Sequence, residues 1–180
     1  MPDRIPSICA DQYVTPPNWA IQQRRLIDLM NQAGVFYASK YVRSDNTLIW
    51  KDSWPGMDGS DDAYESFWTF PLFYLVGGSE QIHQMSRQLW DSITWQFTEY
   101  GQIYREFDAY YDWMHHGESY SYLYYLGLCD PFVFKDRQRA RRFASFYIGE
   151  DPEAKNYDPA RQVIRSPLNG SRGPRLEMSR

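Results

Sequence analysis

Residues 62–78 read DAYESFWTFPLFYLVGG, and residues 115–131, 53 positions further on, read HHGESYSYLYYLGLCDP. Aligned at this offset, both stretches carry a Glu-Ser-aromatic triplet, continue as an aromatic and apolar run, and end in residues that break helices. A helix without a polar face is normally buried on all sides. The two stretches therefore predict two inner helices, over 62–76 and 115–129, that are related by duplication.

An amphipathic segment follows each of these inner helices after a short turn. Ser79 is a good N-cap for a helix that we expect to run to about Phe97. Its apolar stripe contains Ile82, Met85, Leu89, Ile93 and Phe97. The counterpart runs from about Lys135 to Ile148 and is rich in Arg. We interpret its basic run, 135–142, as the solvated face of an outer helix.

A further helix precedes the duplicated unit. It is predicted to follow Pro16-Pro17, with Asn18 as N-cap, and to run to about Val42. The residues that recur at helical spacing along it are Trp19, Gln23, Leu26, Met30 and Ala33.

The lengths of the connections indicate an architecture. Turns from an inner helix to its outer follower are short, whereas the connections to the next inner helix are long. We therefore predict an all-α fold of antiparallel helical hairpins, of the α/α-toroid type, with the long loops on the functional face. About five helices are fewer than a closed ring needs, so we expect an incomplete, N-terminal portion of a larger enzyme. The predicted parts are an irregular arm (1–17), a helical hairpin domain (18–148) and a polar loop or tail (149–180).

Composition excludes several classes. The net charge of −4 argues against a nucleic-acid partner, and two cysteines argue against a disulfide framework. Neither an export signal nor a membrane span is visible, so we expect a cytoplasmic protein without a membrane partner. Aromatic residues make up 18% of the chain, which fits an aromatic-lined cleft as well as a core. No cofactor or metal site is assigned, and the oligomeric state is left open.

A carboxylate-rich loop precedes the first inner helix. The predicted site residues there are Trp54, Asp58, Asp61 and Asp62. Asp61 or Asp62 serves simply as an N-cap in one interpretation. In the other, crowding raises the pKa of one carboxyl group, so that an acid and a base stand side by side, with Asp62 as the catalytic residue. A calcium loop is a weaker alternative, because Ala63 and Thr69 stand where such a loop needs Gly and Glu.

A second constellation precedes the other inner helix. The predicted catalytic residues are Tyr110, His115, His116 and Glu118, and the predicted substrate-binding residues are Arg105, Tyr111, Asp112 and Trp113. Histidine transfers protons readily near neutral pH, and Arg binds carboxylates. A His pair that caps the helix is the alternative interpretation. Metal ligation is less favoured because the spacing is not that of helical zinc sites.

The equivalent residues Glu65 and Glu118 lie inside apolar helices, so both are expected to be buried and paired. In a structural role, each carboxylate would accept hydrogen bonds from backbone amides of the adjacent loop. That use is favoured for Glu65, and Glu118 remains open between a structural and a catalytic role.

This alternation of aromatic inner helices with loops that carry Trp54-Pro55-Gly56-Met57-Asp58 and Trp113-Met114-His115-His116 resembles the six-hairpin carbohydrate enzymes. These include the unsaturated glucuronyl hydrolases and the heparinase- and alginate-type polysaccharide lyases. The resemblance covers 18–148 and implies a glycoside hydrolase or polysaccharide lyase that acts on an oligo- or polysaccharide.

The two activities imply different residues. In a lyase, Tyr110 or Tyr111 with His115 or His116 would remove a proton and Arg105 would neutralise a uronic carboxylate. In a hydrolase, Asp62 or Glu118 would be the general acid/base. Two other classes remain alternatives: a terpene- or dehydratase-type helical toroid, and a non-enzymatic helical repeat that binds a glycan or a protein.

Overall fold

The computed structural model describes residues 9, 11–49, 60–100, 103–104, 108–109, 113–152 and 157–164. The helices in this part of the chain are α1 (Asn18–Tyr41), α2 (Ser60–Glu65), α3 (Phe70–Leu75), α4 (Glu80–Glu99), α5 (Trp113–Cys129) and α6 (Phe134–Ile148). Two short antiparallel ladders pair β1 (Ile103–Tyr104) with β2 (Asp108–Ala109), and β3 (Tyr157–Asp158) with β4 (Val163–Ile164). The prediction of an all-α class is confirmed.

The first inner helix is interrupted, contrary to the prediction of one helix over 62–76. Helix α2 ends at Glu65 and α3 begins at Phe70. Between them the amide N of Phe67 donates to Tyr64 O at 3.1 Å, and the amide N of Phe70 donates to Phe67 O at 3.0 Å. Pro71 explains the break, since proline lacks an N–H and its ring clashes with the preceding turn of an α-helix.

The remaining duplicated elements agree with the prediction to within two residues. Ser79 is the N-cap of α4, and its Oγ accepts a hydrogen bond from the amide N of Ile82 at 3.4 Å. The predicted stripe is buried at Ile82, Leu89, Ile93 and Phe97 and partly buried at Met85. Helices α5 and α6 each begin slightly earlier than predicted.

The packed face of helix α1 is not the one that carries the large side chains recurring at helical spacing. Its N-cap is Pro17 rather than Asn18, and the stripe of Trp19, Leu26 and Met30 is exposed. The packed side includes Asn31, whose Oδ1 accepts from the amide N of Ser79 at 2.7 Å. Gly34 also lies there, so close to α4 that a Cβ would stand 2.9 Å from Ile82 Cδ1. Small and polar residues form this contact, which a search for large apolar side chains misses.

The inner helices run side by side in the same direction. The contacts that join them advance together along both segments: ring centroids are 6.3 Å apart in Tyr64–Tyr122 and in Trp68–Tyr125, and Cys129 Sγ donates to Pro71 O at 3.2 Å. Residue numbers rise together in these three pairs. Helices α2 and α3 are therefore parallel to α5.

The outer helices form a second parallel row. Asn31 of α1 contacts Ser79 at the start of α4, and Gly34 contacts Ile82 one turn later. Ion pairs then join α4 to α6 in the same sense: Arg87 with Asp136 at 2.8 Å and Asp91 with Arg139 at 3.0 Å.

The two rows are antiparallel to each other. Tyr74 stacks on His83 and Tyr64 contacts Trp90, with ring centroids 4.4 and 4.8 Å apart, so residue numbers fall in α3–α2 as they rise in α4. Tyr120 contacts both Phe143 and Tyr147 at 4.1 and 5.8 Å in the α5–α6 pair. The described chain is a two-layer array of hairpins, preceded by an outer-row helix.

Burial agrees with the 53-residue offset at some positions and not at others. Four related pairs are buried in both copies, namely Phe67 and Tyr120, His83 and Asp136, Ser86 and Arg139, and Trp90 and Phe143. Two other pairs differ, because Ile82 and Tyr122 are buried whereas their counterparts Lys135 and Thr69 are exposed.

The basic run of α6 is not simply a solvated face. Arg139 is buried at 6% exposure, and Asp136 beside it is buried at 5%. Arg139 pairs with Asp91 and Asp136, and Arg87 pairs with Asp136. Arg137 and Arg141 are exposed as expected. The prediction was wrong for Arg139 because one of its partners, Asp91, comes from α4 and is distant in sequence.

Candidate functional site

The long connections begin or end at one end of the array. Because both inner helices run in the same direction, the N-termini of α2 and α5 lie together there. The C-termini of α1, α4 and α6 reach the same end, since the outer row is antiparallel to the inner row. The turns 76–79 and 130–133 and the start of α1 lie at the opposite end. In the described helices, the short turns thus lie apart from the helix ends that adjoin the long connections.

A polar turn after α1 is attached to α4 at this end. Gln96, which is buried, accepts from the amide N of Leu48 at 2.8 Å, and its Nε2 donates to Leu48 O at 3.0 Å. The same Nε2 lies 3.0 Å from the hydroxyl of Tyr100. One amide side chain thus holds the 43–48 turn against the last turns of α4.

The turn carries charged groups in a defined geometry. Asp45 Oδ1 accepts from the amide N of Thr47 at 3.0 Å and from its hydroxyl at 2.6 Å. These hydrogen bonds, the side-chain one first, lower the pKa of Asp45 below its ordinary value. Arg43 donates to the Thr47 hydroxyl at 3.3 Å. The turn therefore presents an ionised carboxylate and a guanidinium close together.

A cavity of about 220 Å³ lies between this turn and α4. Its lining combines both charge signs with aromatic rings and comprises Arg43, Asp45, Thr47, Trp95, Gln96, Glu99 and Tyr100. Trp95 is 58% exposed. An accessible indole beside carboxylates and an Arg offers a stacking surface and directional hydrogen-bonding groups together.

The start of α2 carries one predicted site residue whose side chain is described. Asp62 is partly buried, and its backbone O accepts from both the amide N of Ser66 at 3.1 Å and the Ser66 hydroxyl at 2.9 Å. Glu65 is exposed, which corrects the prediction that it is buried. Phe67, the aromatic residue of the triplet, is buried. In this copy the triplet serves helix structure and packing.

The other predicted site residues are located less fully. Asp61 lies in α2, and Trp113, His115, His116 and Glu118 lie in the first two turns of α5. Their backbones therefore stand at the end where the inner helices begin. Trp54, Asp58, Arg105, Tyr110, Tyr111 and Asp112 lie outside the described residues.

A buried polar layer lies beneath this end. The hydroxyls of Tyr64 and Thr94 are 2.7 Å apart, and the Tyr122 hydroxyl donates to Ser86 O at 2.8 Å. Burial, with a smaller contribution from Tyr64, raises the pKa of Tyr122 well above its ordinary value. Trp90 packs against both tyrosines, and its buried Nε1 has no hydrogen-bond partner among the described residues. The layer packs α4 against both inner helices.

The remaining histidine, His83, stands at the opposite end. It stacks on Tyr74 with ring centroids 4.4 Å apart. The Tyr74 hydroxyl donates to Glu80 Oε2 at 3.2 Å, which raises the pKa of Tyr74. Burial raises the pKa of the nearby Cys129 thiol. These shifts favour the uncharged forms, so this group packs the short-turn end rather than supplying a nucleophile.

The sequence interpretation missed the cavity beside Trp95. Two signals for it existed: Ser44-Asp45-Asn46-Thr47 has the composition of a tight turn, and Gln96 stands next to the buried stripe of α4. Asn46 adopts a positive φ of 65°, as such a turn requires. The sequence alone could not show that the amide and the turn meet.

Over the described residues, no cluster of three or more His, Cys, Asp or Glu side chains is arranged to hold a metal ion. None of the helices in that part of the chain has the length and apolar character needed to cross a bilayer.

The fold and this end of the molecule define a class, an aromatic-rich domain of stacked antiparallel helical hairpins. The chain belongs to the family described as Domain of unknown function (DUF8034), whose model matches residues 7–180. No curated protein and no solved structure matches it.

Proposed function

We propose that this chain is part of a carbohydrate-active enzyme of the α/α-toroid type, a glycoside hydrolase or polysaccharide lyase. The observation that carries the proposal is the parallel direction of α2–α3 and α5, shown by the Tyr64–Tyr122 and Trp68–Tyr125 contacts. This direction brings the start of α2, with Asp61 and Asp62, and the start of α5, with the His pair, to the same end. In this proposal, further helices extend the inner and outer rows into a ring.

The cavity beside Trp95 supplies the chemistry for sugar binding. An exposed indole stacks on the apolar face of a pyranose ring. Asp45 and Glu99 accept hydrogen bonds from sugar hydroxyls, and Arg43 binds a carboxylate such as that of a uronic acid. In this proposal the cavity is a subsite that holds the oligosaccharide beside the reacting bond.

The reaction is assigned to the starts of the inner helices. In the lyase version, Tyr110 or Tyr111 with His115 or His116 removes the proton next to a uronic carboxylate, and Arg105 neutralises that carboxylate. The electron pair of the broken C–H bond then forms a carbon–carbon double bond as the bond to the departing oxygen breaks, and that oxygen takes up a proton from the protonated base or from water. In the hydrolase version, Asp62 or Glu118 protonates the glycosidic oxygen and water adds to the sugar.

Product analysis distinguishes these versions. Alginate and heparin oligosaccharides are incubated with the protein while ultraviolet absorbance and reducing ends are measured. A lyase gives both signals and loses them in one of the variants Tyr110→Phe and Tyr111→Phe and in one of His115→Ala and His116→Ala. A hydrolase gives reducing ends alone and loses them in Asp62→Asn or Glu118→Gln. If oligosaccharide binds without either signal, the protein is a non-enzymatic glycan-binding module.

Binding itself is tested at Trp95. Trp95→Ala is expected to weaken oligosaccharide binding about 5-fold in calorimetry, because one stacking contact contributes about 1 kcal/mol. Phe132→Ala is the matched control, since Phe132 is also exposed but lies in the turn between α5 and α6. Equal loss in both variants, or no binding to any oligosaccharide, contradicts the proposed site.

A further inference from the structure

Helix α1 presents an apolar face that stays open to solvent. Six large side chains on it are between 38% and 69% exposed, namely Trp19, Leu26, Leu29, Met30, Phe36 and Tyr37. A contiguous exposed patch of this kind marks an interaction surface more often than an ordinary monomer surface.

The spacing of this face is that of a coiled-coil seam. Residues Trp19, Gln23, Leu26, Met30, Ala33 and Tyr37 alternate steps of four and three. The positions that flank the seam on its open side, Gln22, Leu29 and Phe36, are uncharged too. Arg24, Arg25 and Asp28 lie elsewhere on the helix. A seam without charges fits another helix with the same face.

A groove runs beside the C-terminal half of the seam. A cavity of about 270 Å³ separates α1 from α3, with Met30, Ala33 and Tyr37 on one wall and Phe70 and Phe73 on the other. The two walls are apolar, and Ala33 leaves room for an approaching side chain. A helix laid against the seam would fill this groove.

The N-terminal half of α1 extends past the rest of the array. Ile27 packs near Gly77 in the turn between α3 and α4, where a Cβ on Gly77 would stand 3.2 Å from Ile27 Cδ1. Residues 18–26 continue beyond this turn and are exposed, apart from the partly buried Ala20. A helical segment of this length is marginal in water unless it packs against a partner.

We propose that α1 pairs with α1 of a second copy of this chain, as an antiparallel coiled coil centred on residue 28. With this centre, each seam residue of one copy lies opposite a seam residue of the other. Trp19 packs against Tyr37, Leu26 against Met30, and Gln23 against Ala33. The seam from Trp19 to Tyr37 is about 27 Å long at 1.5 Å per residue. Large side chains meet large ones, and the polar Gln23 meets the small Ala33.

An antiparallel partner helix also fits the arrangement of the inner and outer rows of helices. A partner helix antiparallel to α1 runs in the same direction as α3, because α1 is antiparallel to the inner row. It therefore takes the position of an additional inner helix beside α3. The N-terminal half of each α1 fills the groove of the other copy. This inference does not depend on the proposed carbohydrate activity.

Light scattering coupled to gel filtration, on the full chain at tens of micromolar, tests the pairing. We expect a dimer and, for Leu26→Glu, a dissociation constant raised at least roughly 100-fold, because a carboxylate would be buried in two symmetric layers. Ile21→Glu is the matched control, since Ile21 is exposed on the same helix but lies off the seam. Circular dichroism checks that both variants keep their helices.

Disulfide formation tests the direction. In a chain whose Cys9 and Cys129 are replaced by Ser, Leu26→Cys mixed with Met30→Cys is expected to give disulfide-linked heterodimers, while neither variant links with itself. A monomeric wild type overturns the proposal, whether its α1 is covered by a helix of the same chain or binds phosphatidylglycerol vesicles in a flotation assay. A dimer that Leu26→Glu does not weaken also overturns it.

Discussion

The buried hydroxyl of Tyr122 makes the free energy of unfolding depend on pH. Its ring is buried between α4 and α5, and its hydroxyl donates to Ser86 O at 2.8 Å. Burial raises its pKa well above the ordinary value, so the folded protein holds the neutral hydroxyl. The stability that this group contributes is present below about pH 10, the usual Tyr pKa, and is lost as the pH rises towards the folded pKa.

The Tyr122→Phe variant measures this contribution. At pH 7 it is expected to unfold about 1 kcal/mol more easily than wild type in urea, because it lacks the hydrogen bond to Ser86 O. Above about pH 10 the difference should shrink, because only the wild type then gains an ionised Tyr122 on unfolding. A difference that is constant from pH 7 to pH 11 contradicts the assigned burial.

Gln96 is the residue that sets the geometry of the candidate cavity. Gln96→Ala leaves the amide N and the carbonyl O of the buried Leu48 without this partner, so we expect a loss of about 2 kcal/mol in the free energy of unfolding. Hydrogen exchange at the Leu48 amide should quicken markedly. Gln88→Ala, on the exposed face of α4, is the control and should change neither quantity.

At the scale of elements, the ion pairs between α4 and α6 hold the two outer helices in register. Asp136→Ala removes the shared partner of Arg87 and Arg139. Because Arg139 is buried, we expect a loss of about 3 kcal/mol in urea unfolding. Asp28→Ala, which breaks the exposed Arg24–Asp28 pair within α1, should cost less than about 0.5 kcal/mol. Equal costs would show that the α4–α6 pairs are solvated.

The hydrophobic periodicity predicted correctly those helices whose bounds depend on their own residues. The stripe from Ile82 to Phe97, the Ser79 cap and the breaks after Val76 and Cys129 are local, and α4, α5 and α6 follow from them. The break at Pro71 is local too, but the surrounding aromatic run obscured it. The packed face of α1 was not predictable in this way, because Asn31 and Gly34 bind through a hydrogen bond and close approach rather than through apolar area.

At the scale of the molecule, the duplication and the loop lengths predicted which end carries the long connections. They could not predict the cavity, because Arg43 and Trp95 are far apart in sequence and meet only through the Gln96–Leu48 hydrogen bonds. Such a cavity is formed by packing between segments that are distant in sequence, and a single sequence does not show which distant segments contact each other.

We propose that the oligosaccharide binds and reacts at the end of the array where the inner helices α2 and α5 begin. The most direct measurement is backbone amide chemical-shift mapping of the full chain during titration with alginate or heparin oligosaccharides. We expect the largest chemical-shift changes at residues 43–48, 95–104 and 113–118. Shifts concentrated at the short turns, 76–79 and 130–133, or no shifts with any oligosaccharide, would contradict it.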